Sequence, residues 1–105
     1  MDRPRWLSVP INEQGVEEYD YGVEDTPNIK TFMLSEKEFN VLYYQGIFDN
    51  INNECELLID DYESEVILRD YFEVCKRIIG NENVPVFSEA LDLAIKYDTL
   101  LGLDF

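Results

Sequence analysis

Apolar positions recur at two spacings along this chain, and the spacings predict its elements. Trp6, Leu7 and Val9 stand between Pro4 and Pro10, which suits a short extended segment or an edge strand, where the missing proline N–H does no harm. After Pro27, the run from Ile29 to Leu34 holds Ile, Thr, Phe and Met and reads as a strand. Between these, residues 11–26 alternate only weakly at Val16, Tyr19, Tyr21 and Val23 and contain Gly15 and Gly22. An acidic loop or arm is expected there, with a ragged strand or hairpin around Glu17 to Val23 as the alternative.

Ser35 followed by Glu38 is a capping box, in which the hydroxyl accepts from the backbone N–H three residues on and the Glu side chain reaches back. The helix it starts carries Phe39, Leu42, Tyr43 and Ile47 at helical spacing, with Val41, Tyr44 and Phe48 widening the stripe. Gly46 in its path costs about 1 kcal/mol relative to Ala and marks a helix end or a close backbone approach. Asn50, Asn52 and Asn53 argue for a break before Cys55, although a helix running on to Ile51 fits equally, and Glu56 to Ile59 is too short to type. The strongest periodicity lies between Ser64 and Ile79, where Ile67, Tyr71, Val74, Ile78 and Leu68, Phe72, Cys75, Ile79 advance in steps of four, three and four. A helix there would place Glu63 and Glu65 at its positive end, Lys76 and Arg77 at its negative end and Gly80 beyond. Glu65 with Arg69 and Glu73 with Arg77 would then be i,i+4 pairs.

Val84 to Phe87, interrupted by Pro85, reads as an edge strand or a connector. Ser88 would cap a third helix with Ala90, Leu93, Ala94, Tyr97, Leu100 and Leu101 on one face, Asp92 and Lys96 paired outside and Gly102 at its end. Leu103 and Phe105 should dock on the core. These elements predict one small α+β domain over residues 1–105, helix-dominated, with about three helices and a few short N-terminal strands. A three-helix bundle with an irregular N-terminal arm is the alternative.

Composition narrows the function. The 105 residues hold 23 Asp and Glu against 8 Lys and Arg, with no His, for a net charge of −15. Direct nucleic-acid binding is not expected of a chain that phosphates repel. The absence of His removes the usual general base, the common catalytic triads and His-containing zinc sites. At 46% hydrophobic and 13% aromatic, the chain is too apolar for a disordered acidic tail. Its apolar runs are far too short to span a bilayer, and no signal-like run follows Met1, so a cytoplasmic protein without membrane association is expected. Cys55 and Cys75 lack ligand partners and read as buried free thiols.

The charge sits in two segments. Residues 11–26 carry six acids and no base, and residues 49–73 carry nine acids and Arg69 alone. Two such patches would steer a basic protein partner; a solvated coat that keeps the protein in solution is the equal alternative. Tyr19, Tyr21 and Tyr62 lie inside the segments, where rings among carboxylates make anchors for Arg and Lys. The candidate partner-binding residues are therefore Glu17, Glu18, Tyr19, Asp20 and Tyr21 in the first segment and Asp60, Asp61, Tyr62, Glu63 and Glu65 in the second. The spacing of Asp60 to Glu65 is not a calcium loop, and acidic capping of the Ser64 to Ile79 helix accounts for it more simply. No catalytic residue, metal or cofactor is expected.

In size, charge and lack of catalytic equipment the chain resembles small acidic immunity proteins, a likeness of class without a shared motif. The resemblance implies an inhibitor that neutralises a basic partner such as a nuclease toxin; a nucleic-acid mimic, whose carboxylates imitate phosphates, is a variant of that class. A carboxylate-based metal-binding or enzymatic module would instead need a concave site at residues 60–65. A structural or assembly subunit would show an exposed apolar patch near Trp6 or the Leu103 to Phe105 end.

Overall fold

A computed structural model describes residues 4–80 and 84–105. The strands are β1 (Arg5–Pro10), β2 (Ile29–Leu34), β3 (Ser64–Leu68) and β4 (Leu100–Asp104), and they form one antiparallel sheet in the order β2-β1-β4-β3. The helices are α1 (Glu13–Asp20), α2 (Glu36–Tyr44), α3 (Ile47–Cys55), α4 (Phe72–Ile79) and α5 (Pro85–Tyr97), with a 3₁₀ turn at Arg69–Tyr71. The α+β class is as the sequence implied. There are five α-helices among the described residues rather than about three, and the strands are spread along the chain rather than gathered at its start.

Several local signals work as expected. The capping box is complete: Ser35 Oγ accepts from Glu38 N at 3.1 Å, and Glu38 Oε1 accepts from Ser35 N at 2.9 Å. Gly46, at φ 77°, ends α2 and turns the chain into α3, a left-handed position that glycine occupies without strain. The asparagines do not break α3 before Cys55. Asn52 instead clamps the segment that follows, its Oδ1 accepting from Ile59 N at 2.7 Å and its Nδ2 donating to Ile59 O at 3.0 Å.

Other expectations are overturned. The N-terminal segment is a central strand, because Pro10 stands at its end and its missing donor breaks no ladder. Residues 11–26 are no loose arm: Asn12 caps α1, accepting from Gly15 N at 2.8 Å. The continuous Ser64 to Ile79 helix is absent, since Ser64–Leu68 pairs with β4 and helical geometry begins only after the 3₁₀ turn. Val66 and Ile67 are β-branched and suit the strand, Ile67 is buried opposite Leu101, and Leu68, which a helical stripe would have hidden, is 54% exposed. Glu65 therefore has no i,i+4 partner in Arg69, which pairs with Asp98, and Arg77 pairs with Glu54. Pro85 opens α5 at its first turn, where a proline lacks nothing, so neither an edge strand nor a Ser88 cap forms. Lys76, not Lys96, meets Asp92, at 3.2 Å. Asp98 in the left-handed region ends α5, which leaves Leu100, Leu101 and Gly102 to β4.

The sheet has two unlike faces. On the inner face Leu7, Val9, Leu34, Ile67, Leu101 and Leu103 are buried, and α5 brings Phe87, Ala90, Leu91 and Ala94 against them. Beside α5, an aromatic cluster joins α2, α3 and the end of β4: Phe105 lies 5.2 Å edge-on to Phe39 and 5.4 Å from Phe48, which also meets Phe87 at 6.1 Å. Leu103 and Phe105 thus dock as expected. Cys55 and Cys75 are buried free thiols in contact across α3 and α4, both raised above the ordinary thiol value by burial first. Phe48→Ala should cost about 3–5 kcal/mol in urea unfolding, because it empties the centre of the aromatic cluster. Tyr44→Ala, at an exposed position of α2 outside that cluster, should stay within about 0.5 kcal/mol. Equal costs for the two would contradict this core.

Candidate functional site

The outer face of the sheet is covered only in part, by α1 and the return loop from Tyr21 to Asn28. Gly15 allows the crossing, since a Cβ there would overlap the Asn28 carbonyl. Ile11 N donates to Asn28 O at 2.9 Å, and Asn12 Nδ2 to Asn28 Oδ1 at 3.0 Å, so both ends of the loop are tied together. Glu18 holds the loop from within, accepting from Thr26 Oγ1, Asn28 Nδ2 and Gln14 Nε2. These bonds, the Thr26 hydroxyl foremost, keep its carboxyl below the usual value despite a smaller opposing effect of desolvation.

At the far end of α1, Tyr19 lies against Gly102 of β4, where any Cβ would overlap the ring. Its hydroxyl is hydrogen-bonded to Asp104, and burial, with the Asp104 charge second, pushes its pKa far above that of a free phenol. Asp104 Oδ1 also accepts from Ser64 Oγ at 3.1 Å, and Phe105 N donates to Glu63 O at 3.2 Å. The two acidic segments therefore meet at Asp104, one arriving through Tyr19 and the other through Ser64.

Between α1, its loop and the sheet runs a groove of about 1290 Å³. Its lining includes seven acids, Glu13, Glu17, Asp20, Glu24, Asp25, Glu65 and Asp104, and no Lys or Arg. Its floor is apolar or uncharged, with Trp6, Ser8, Val66 and Leu68 among the contributors. The bases of α4 lie in the helical layer, where Lys76 and Arg77 form exposed pairs with α5 and α3. A carboxylate-lined groove on a fixed sheet attracts cationic side chains and concentrates field lines.

The second segment is arranged differently from what its acids suggested. Residues 60–63 make a turn, with Glu63 N donating to Asp60 O at 3.3 Å and Tyr62 held at φ 64° with its ring in solvent. They precede a strand, so they cap no helix. Asp61 is committed to the fold: Arg5, only 4% exposed on the inner face of β1, donates from Nε at 3.0 Å and Nη2 at 2.9 Å to the two Asp61 oxygens, with its guanidinium 4.1 Å over Phe39. Of the residues singled out from sequence, Glu17, Tyr19, Asp20 and Glu65 line the groove; Tyr21, Asp60, Tyr62 and Glu63 are exposed outside its lining. Glu18 and Asp61 are engaged internally, and Glu65 accepts from Leu58 N at 3.1 Å and Val66 N at 3.0 Å. Sequence reasoning missed Asp104 and Trp6 as site residues; both are outward positions of alternating strands, a signal that local pattern carries only once β4 is known to be a strand. Among the described residues no group of three or more acids and thiols could hold a metal ion, and no helix is long and apolar enough to cross a membrane.

No protein-family model and no curated protein matches the chain. Among solved structures it is similar to the Neisseria DNA mimic protein DMP12, with a TM-score of 0.58 and 12% identity over 97% of this chain and 98% of that one. At that identity the likeness is one of fold.

Asp61→Asn should cost about 3 kcal/mol, at the low end for a broken buried pair because the Asp61 side chain keeps 28% of its exposure. Glu63→Gln on the same turn should stay within about 0.5 kcal/mol in the same denaturation measurement, and equal effects would refute the anchoring role. Because the folded-state pKa of Tyr19 lies above its ordinary value of 10, its contribution to stability is complete below about pH 10 and is lost as pH rises toward the folded value. An alkaline absorbance titration should show a late-ionising phenol, and Tyr19→Phe should abolish that late phase. A late phase that survives the substitution would place the shifted phenol elsewhere.

Proposed function

We propose that this chain is an acidic binding protein that occupies the nucleic-acid-contacting surface of a basic protein, and thereby inhibits it. The observation that carries the reading is the groove lined by seven carboxylates without a base, joined through Asp104 to the acidic turn before β3. Carboxylates held on a docked helix, its return loop and the sheet offer a partner's Lys and Arg the charge that a phosphate backbone would offer. Such a concentrated field destabilises the fold that carries it, and a role in steering a partner accounts for its retention. The similarity in fold to a protein described as a DNA mimic supports the same reading. An immunity-type role, in which the partner is a nuclease toxin met in the cytoplasm of the producing cell, is its finer form. The protein acts on this reading by binding alone, without catalysis.

Proteins of a host lysate retained on immobilised duplex DNA provide the test. At about 100 mM salt the protein should release a discrete basic protein at concentrations where polyglutamate of equal charge releases none, and the release in excess of a salt-only control should shrink as salt rises. Release no greater than that by polyglutamate would contradict the proposal. With the released protein in hand, converting Asp20, Glu24, Asp60 and Glu63 to their amides should slow association at least tenfold and flatten its salt dependence. The same change at Glu73 and Glu89, exposed acids of α4 and α5, should alter the rate less than twofold. Equal effects from the two sets, in surface-resonance kinetics, would mean that the acids form only a solubilising coat.

A further inference from the structure

The part of the outer face that α1 leaves open has its own chemistry. Cross-strand register aligns four residues in a row across all four strands: Met33 of β2 opposite Trp6 of β1, Trp6 opposite Asp104 of β4, and Asp104 opposite Ser64 of β3. Facing positions on one side of a sheet stand about 4.5–5.5 Å apart at Cβ, so these side chains are direct neighbours. Trp6, the sole tryptophan, is 41% exposed and Met33 is 56% exposed, whereas every inward residue of β1 is buried. One carboxylate thus stands beside one exposed indole in the lining of a groove that holds no Lys or Arg. A carboxylate has about four lone-pair sites, and Tyr19 and Ser64 occupy two of those on Asp104.

Resting on the reading above, we infer that this row is the arginine subsite of the acidic surface, taking an arginine-bearing segment of the basic partner. The guanidinium stacks on the Trp6 indole and hydrogen-bonds to Asp104, while the methylene stem packs on Met33. Charge complementarity sets the sign of the occupant. The indole selects arginine over lysine, because a planar, weakly hydrated guanidinium stacks on an aromatic face and keeps its hydrogen bonds in the ring plane, whereas a strongly hydrated ammonium does not. A surface that merely neutralised charge would treat the two bases alike.

The test uses two fluorescein-labelled peptides of equal length and charge, one carrying arginine and one lysine, titrated into the intact protein and followed by anisotropy and by Trp6 fluorescence. The arginine peptide should bind about fivefold more tightly and change the Trp6 emission. Trp6→Leu should erase the preference while leaving the salt-dependent binding of both peptides, and Asp104→Asn should weaken the arginine peptide more than the lysine peptide. Equal affinities, an unchanged Trp6 signal on saturation, or self-association through the Trp6 face in sedimentation would overturn the inference. Release of a basic protein from duplex DNA together with a silent Trp6 would refute this subsite alone; an absence of both release and peptide binding would refute the proposed function with it.

Discussion

Helix α1 can lie across the sheet only because two positions lack a Cβ. Gly15 brings the helix backbone onto the Asn28 carbonyl, and Gly102 leaves the room in β4 that the Tyr19 ring fills. A side chain at position 15 would push the helix off the Asn28 carbonyl, and one at position 102 would displace the Tyr19 ring that pins the helix to β4; five of the seven groove acids are carried by this helix and its loop. Everything specific about the acidic surface follows from this contact. It turns a run of acids into one wall of a groove, and through Asp104 it connects that wall to the turn before β3.

The rest of the fold opposes the repulsion that this arrangement creates. Arg5 is buried beneath the sheet and holds the acidic turn by two hydrogen bonds to Asp61, an anchor that also neutralises one acid of the crowded segment. Glu18 is turned inward to the loop and is stabilised as a carboxylate by three donors. The seven groove acids have no base among their lining neighbours; Glu65 and Asp104 accept hydrogen bonds from Leu58 N, Val66 N and Ser64 Oγ, and the repulsion among the acids of α1 and its loop is screened by solvent and salt. On the proposed function, that unrelieved field is what the basic partner neutralises.

Elements with local causes were legible in the sequence. The capping box, the turn at Gly46, strand β2 and the docking of Leu103 and Phe105 each depend on neighbours in sequence or on plain apolarity. Elements fixed by distant pairing were not. Ser64–Leu68 becomes a strand because β4, some 36 residues on, offers it an edge, and the helical spacing from Ile67 to Ile79 continued across the junction by coincidence of period. Helix α1 was hidden for a related reason: it buries only Gly15 fully and, of its larger apolar residues, Val16 and Tyr19 in part, too little apolar surface to form a stripe, while its acids and its glycine resemble a loop. The candidate site was half visible. Charge clustering singled out two segments from which Glu17, Tyr19, Asp20 and Glu65 line the groove, but charge alone could not tell that Asp61 and Glu18 serve the fold or that Trp6 and Asp104 belong to the groove lining.

The central claim is that the first acidic segment is a docked helix and not an arm, and native-state hydrogen exchange tests it most directly. The amides of Val16 to Tyr21 should be protected in the wild type. Gly102→Ala should abolish that protection while leaving the amides of α5 slow, since only the Tyr19 contact is disturbed. Exchange of Val16 to Tyr21 at the rate of an unstructured peptide in the wild type would contradict the account.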